Sequence, residues 1–172
     1  MKQLMTLFIL LSVCSSGFAA TSVSALQKDW AITNYELQGD EQVQSFEQLI
    51  ETAASAVAME PSNAELLIWK AIIESTYAGK ASSLTALRLV KAARADLEAA
   101  MDIDPMALDG SAYTSLGALY YQVPSWPLAF GSSKKARKLL EKAIEVNPDG
   151  IDSNYFYGAF LVEEKDYDSA RQ

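Results

Sequence analysis

The side chains that most often carry out catalysis are nearly missing from this chain. Its 172 residues include no histidine and a single cysteine, Cys14. Ser-His-Asp and Cys-His nucleophile systems, and zinc centres built on Cys or His, therefore have nothing to assemble from. Carboxylate and lysine chemistry remains. Acidic pairs such as Glu163-Glu164 and Asp166 with Asp168 are present. An acid–base dyad needs burial and a defined separation, and no second set of groups converges on these, so they read as a solvated helix end and the turn after it. Lys134-Lys135 and Arg137-Lys138 read as surface. The expectation is a protein that is not an enzyme and holds no cofactor or metal.

Charge narrows the partners. A net charge of −8 and an isoelectric point near 4.5 argue against nucleic acid, which needs a basic face to displace counterions. They argue equally against an anionic membrane surface. The acidic residues are dispersed rather than blocked, as on an ordinary solvated surface.

The N-terminus reads as a leader. Met1-Lys2 supplies a positive start, Leu4 to Val13 is almost wholly apolar, and small residues follow in Ser15-Ser16-Gly17-Phe18-Ala19-Ala20. The apolar stretch is too short for a membrane anchor, and Gly17-Phe18-Ala19 suits a cleavage site after Ala19 or Ala20. Residues 1–20 are thus expected to be a signal peptide, making the protein periplasmic or secreted. Lipidation at Cys14 is the rival: Leu11 and Ser12 suit it, but Val13 stands where a small residue is required.

Residues 21–172 must position whatever function remains, and they contain a repeat. Ala56-Val-Ala-Met-Glu-Pro61, Ala100-Met-Asp-Ile-Asp-Pro105 and Ala143-Ile-Glu-Val-Asn-Pro148 share an alanine five before a proline, with the prolines 44 and 43 residues apart. Each segment closes a run of helical periodicity: Val43, Phe46, Ile50, Ala53, Val57; then Leu84, Leu87, Val90, Ala93, Leu97, Ala100; then Ala136, Leu139, Leu140, Ala143, Ile144. Proline ends each helix, since it lacks a donor and restricts the residue before it. Further amphipathic runs lie at Leu66–Tyr77, Ser111–Gln122 and Asn154–Glu164, whereas the first helix is left without a clear upstream partner. The unit is helix, loop, helix, proline turn. Such a unit buries its apolar face only by stacking on its neighbours.

Tyr113-Thr-Ser-Leu116-Gly117-Ala-Leu-Tyr120, followed by Ala136, Leu140, Ala143 and Pro148, resembles the tetratricopeptide repeat. Tyr157-Gly158, Leu161 and Ala170 match the next repeat, and Leu67, Ala71, Ala93, Leu97, Ala100 and Pro105 match an earlier one. The resemblance covers roughly residues 40–172. It implies an all-α, right-handed helical-repeat solenoid of helix–turn–helix units with extended loops inside the first two matched repeats. Gly117, Gly158 and the alanines would permit close helix approach, with aromatics filling the space between repeats. The loop from Gln122 through Trp126-Pro127 to Gly131, with Asn147 to Gly158 after it, is similar to the TRAP-transporter T-component family. That likeness implies a periplasmic, non-catalytic accessory of a solute-binding protein, with a ligand-accepting pore.

In such solenoids the first helices of the repeats line the concave face. Fitting the repeat puts Thr114, Ala118 and Tyr121 there, with Asp152, Tyr155, Ala159 and Val162 beside them and Ile68 and Ile72 from the earlier unit. This surface lacks the Lys, Arg and Asn set with which some tetratricopeptide domains clamp a peptide carboxylate. Trp126 and Phe130 sit in a proline-rich loop that either covers this groove or packs on its own repeat. Asp149, Asp152 and Asn154 are expected to cap a helix N-terminus. The binding candidates are therefore Thr114, Tyr121, Trp126, Phe130, Asp152 and Tyr155. Two functions follow: a scaffold for a periplasmic protein partner such as a solute-binding protein, or a carrier holding a small apolar ligand in an aromatic groove. The sequence stops one turn into an expected helix at Asp168-Ser-Ala-Arg-Gln172, which reads as a truncated array in preference to a repeat completed by a partner or a second copy of the chain.

Overall fold

Pairing of short amphipathic helices accounts for the whole described architecture. The computed structural model describes residues 21–171; the expected leader, Cys14 and the cleavage point lie outside the described residues. Seven α-helices follow one another: α1 (Val23–Tyr35), α2 (Gly39–Met59), α3 (Ala64–Ala78), α4 (Ser83–Ile103), α5 (Ala107–Gln122), α6 (Ser133–Val146) and α7 (Ile151–Glu163), with a short 3₁₀ turn at Ser169–Arg171. Among the described residues there is no β-strand, only an isolated bridge between Ser125 and Gly131, and no helix long and apolar enough to cross a membrane. The fold is all-α.

The repeated alanine–proline segments form one turn three times over. The N–H of the residue before the proline donates to the carbonyl of the repeated alanine: Glu60 to Ala56 at 3.0 Å, Asp104 to Ala100 at 2.9 Å and Asn147 to Ala143 at 2.9 Å. That residue then leaves helical space, with ψ of 68°, 99° and 77°, as the proline ring demands of its predecessor. Two residues past each proline, the N–H of Asn63, Ala107 or Gly150 donates back to Glu60, Asp104 or Asn147. All three alanines are buried, so each turn is held to the core at the point where the helix stops.

Each helix packs on the next in sequence, and odd-numbered helices also pack on one another in the order α1, α3, α5, α7. Among the described residues no two even-numbered helices bring their backbones close together. Two core clusters result, one around Leu26, Phe46, Leu49 and Ile73, the other around Leu67, Ile68, Leu97, Leu116, Leu140 and Phe160. Both draw on α3, whose sequence AELLIWKAIIESTYA is apolar on most sides, as a helix buried between neighbours must be. Each fully buried Leu or Ile on it contributes roughly 1.5–3 kcal/mol through removal from water.

Three expectations are revised. α1 supplies an upstream partner for α2 that the sequence reading left open; it escapes notice because only Leu26 and Thr33 on it are buried. The extra residues of the unit formed by α3 and α4 lengthen helices rather than a loop: α4 runs for 21 residues against 14 in α6. Only the unit formed by α5 and α6 carries its insertion as a loop. At the start of α5, Leu108, Asp109 and Gly110 take left-handed backbone angles (φ of 50°, 54° and 75°), so the regular helix begins near Ser111, where the periodicity put it.

The two glycines expected to permit close approach differ. A Cβ on Gly117 would come within 2.7 Å of the Leu140 side chain on α6, whereas one on Gly158 would meet nothing within 4 Å. Gly117→Ala should therefore lower stability by about 1–3 kcal/mol through overpacking, while Gly158→Ala should raise it by about 1 kcal/mol through helix propensity. Urea denaturation of the two variants, read by circular dichroism, checks both signs.

Candidate functional site

The odd-numbered helices bring part of the expected site together. Tyr121, near the end of α5, is half-buried; its ring meets Phe160 of α7 edge-on at 5.7 Å and its hydroxyl accepts from Gln122 Nε2 at 3.0 Å. Its phenol is pushed up from the ordinary value, chiefly by burial, with the charge of Glu163 and the neighbouring Tyr155 adding to it. Tyr155 is 67% exposed and stands edge-on to Phe156 at 5.2 Å. Asp152 lies exposed on the same helix. Thr114 is buried and offers no surface, as is Ile68, because the helices flanking α5 and α3 close over them. Asp149, Asp152 and Asn154 do not cap α7: its N-cap is Gly150, with no side-chain cap. Instead Ser153 Oγ donates to the carbonyls of Asn147 and Gly150, and Asn154 Nδ2 to those of Pro148 and Gly150. Both side chains are thereby used as donors to the carbonyls of the proline turn rather than as acceptors for the N–H groups of the first helical turn.

Trp126 and Phe130 belong to a different place. The loop between α5 and α6 is pinched at its neck, where Gly131 N–H donates to Pro124 O at 2.9 Å and Ser132 N–H to Tyr120 O at 2.7 Å. A Cβ on Gly131 would fall 1.9 Å from Val123 O, so only glycine permits this closure. Phe130 anchors the loop by meeting Tyr120 edge-on at 5.5 Å, under the Arg94 guanidinium at 5.1 Å. Arg94 is itself held by Glu98 at 2.7 Å. The loop thereby leans on α4, leaving a cleft of about 360 Å³ lined by Lys91, Arg94, Glu98, Leu128 and Phe130, and it does not cover the odd-helix face. Phe130 packs between Tyr120 of its own unit and Arg94 of the preceding one, while Trp126 and Leu128 project 85% and 73% exposed from the tip.

Two features escaped the sequence reading. A groove of about 660 Å³ runs over α5 between α4 and α6, floored by Met101, Tyr113, Leu116, Tyr120 and Leu139 and rimmed by lysines and glutamates of α6. It lies where the backbones of α4 and α6 stand apart, a property of the packing rather than of any motif. Lys135 crosses its edge, with Nζ 5.0 Å from the Tyr120 ring centre. The second is an aromatic cluster where α1 meets α3: Trp30 stands edge-on to Trp69 at 5.8 Å and to Tyr35 at 5.7 Å, and its Nε1 donates to Thr76 at 3.0 Å. Recognising α1 as a helix would have exposed it.

Among the described residues, one largely buried charge cluster joins α3 to α4. Lys70 Nζ donates to Glu74 Oε1 at 2.7 Å and to Asp96 Oδ2, while Glu74 Oε2 is buried without a partner. Burial pushes Glu74 up from the ordinary carboxylate value, against the pull of Lys70. Burial also works to lower Lys70, but hydrogen bonds to Asp96 and Glu74 outweigh it and leave the ammonium above its usual value. Among the described residues no group of three His, Cys, Asp or Glu side chains is arranged to hold a metal ion. No protein-family model matches the chain, and comparison with curated proteins finds no match.

These geometries set two expectations. A carboxyl whose folded pKa is raised costs stability as pH climbs from its unfolded value through the folded one, so Glu74→Gln should flatten a decline in stability above pH ~4.5. Lys70→Met should cost about 3 kcal/mol at pH 7 by stranding two carboxylates, and less in acid as they protonate. Urea titrations across pH measure both. In the loop, Trp126→Ala should change stability by less than about 0.5 kcal/mol and Gly131→Ala should cost more than about 2 kcal/mol, compared by thermal denaturation.

Proposed function

We propose that this chain is an exported, non-catalytic scaffold: a right-handed solenoid of tetratricopeptide-like units that binds a protein partner in the periplasm, as an accessory to a solute-binding protein. The observation that carries this reading is the exposed apolar tip, Trp126 and Leu128, held on a loop that is fixed at both ends. An exposed loop tip normally gains nothing from large apolar groups, whereas a rigid aromatic anchor gives contact area at little entropic cost. The ordering of helix contacts and the thrice-repeated alanine–proline turn support the solenoid. The charged start and apolar run of residues 1–20 support export. The mature chain, without histidine or thiol, suits binding better than chemistry.

A second reading, a carrier of a small hydrophobic ligand, is favoured by the groove over α5. Its floor is apolar, and its volume lies within the range of small-molecule sites. Tyr121 and Tyr155 take no part in that groove, so the ligand wall would be Tyr113, Leu116 and Leu139 instead.

Affinity capture from periplasmic extract tests the scaffold. Wild-type protein should retain a defined partner, and a Trp126→Ala, Leu128→Ser double variant of unchanged stability should lose most of it, since a central anchor typically carries about 2 kcal/mol or more. Equal capture by both proteins overturns the role of the tip. Native mass spectrometry showing a bound apolar molecule, displaced in Leu139→Glu, would establish the carrier instead.

A further inference from the structure

α4 carries positive charge that the rest of the chain leaves unanswered. From Ser83 to Ala95 this helix holds Arg88, Lys91 and Arg94 and no acid, although the chain has 22 acidic residues against 14 basic ones. Like charges three apart on a helix repel, so the row costs stability by itself. The positions three and four away from Lys91 are Leu87, Arg88, Arg94 and Ala95, none of which offers a carboxylate. Lys91 is exposed and, among the described residues, forms no ion pair. Arg94 gives its Nε to Glu98, and among the described residues its two terminal amino groups have no hydrogen-bond partner.

Both free cationic groups face the exposed loop. Lys91 and Arg94 line one side of the cleft of about 360 Å³, and Pro127, Leu128 and Phe130 line the other. Of the lining residues only Glu98 is acidic, and Arg94 already holds it, so the cleft is left with a net positive charge. Leu128 belongs to the cleft and, with Trp126, to the exposed tip, which makes cations and apolar tip one continuous surface. Both units that build it are present, and α4 has no contact with α7, the helix on which any further unit of the array would stack. We infer that this surface docks an acidic segment of a partner protein. An Asp or Glu side chain enters the cleft against Lys91 and Arg94, and a neighbouring apolar side chain rests on Trp126 and Leu128. This deepens the scaffold reading and rests on it. A bilayer would meet Trp126, but a flat surface does not enter a cleft, and the net charge of −8 opposes anionic lipid.

Site-specific photo-crosslinking tests the chemistry of the partner directly. The full chain, with the photoreactive p-benzoylphenylalanine in place of Leu128, is irradiated in periplasmic extract, and the attached partner peptide is sequenced by mass spectrometry. The peptide should carry Asp or Glu beside the point of attachment. Adding Lys91→Glu should cut the yield about fivefold or more, and raising salt from about 0.05 to 0.5 M should lower it as charges are screened. Lys28→Glu, the same charge change on the exposed face of α1, should leave the yield as it was. Lys91→Glu should not lower the melting temperature, because it relieves repulsion within α4. A peptide without acidic residues, or an equal yield with Lys91→Glu, overturns the inference and leaves the scaffold reading standing. Attachment to no protein at all overturns both. Co-sedimentation with phosphatidylglycerol vesicles that Trp126→Ala abolishes would make the tip a membrane anchor, and overturns the inference as well.

Discussion

The structure depends on how closely an even-numbered helix can approach the odd-numbered helix before it. Ala93, Ala100, Ala136 and Ala143 are fully or almost fully buried, and Gly117 lies against Leu140 with no room for a methyl group. Small residues at a crossing bring two backbones together and let the larger neighbours, such as Leu97 and Leu140, fill the spaces alongside. Once that distance is set, the helices have little choice of partner. Each helix packs on the element before or after it, the odd-numbered helices also pack on one another, and the backbones of the even-numbered helices stay apart. The groove over α5 and the docking of the long loop on α4 both follow from that separation.

The same economy of contact explains where polar groups go. The last proline turn brings the carbonyls of Asn147, Pro148 and Gly150 within reach of Ser153 and Asn154, whose side chains donate to them. Asp152 lies in the first turn of α7, where the helix macrodipole favours an acid, and stays in solvent. Lys70, Glu74 and Asp96 are the exception in being buried. Two carboxylates compete for one ammonium, and Glu74 keeps an oxygen without a partner. Such a cluster fixes the register of α3 against α4 more than it adds stability, because desolvation offsets much of the attraction.

Arg94 shows how a loop with no regular structure is fixed. Its guanidinium lies over both Phe130 and Tyr120, so one cation links α4, α5 and the loop. With the neck closed at Gly131, the apolar tip is held out in water rather than folded back. The loop was legible as proline-rich and aromatic. Which of its aromatics packs and which projects was not, since Trp126 and Phe130 are chemically similar and differ only in what the fold sets beside them.

Much of the fold could be read from period and punctuation. The runs ending at Ala56, Ala100 and Ala143 became α2, α4 and α6, and those at Leu66–Tyr77, Ser111–Gln122 and Asn154–Glu164 became α3, α5 and α7, because helical spacing and the proline that stops it are local properties. α1 was missed for the same reason: its burial is too sparse to leave a period. The candidate site was less legible. Thr114 and Tyr155 occupy equivalent positions, yet one is buried and the other exposed, since α5 has an odd-numbered helix on both sides and α7 on one. By itself the sequence determined the helices, their ends and the absence of imidazole chemistry. Only the tertiary structure decided which faces are covered, because burial depends on neighbours that a residue's own type does not reveal.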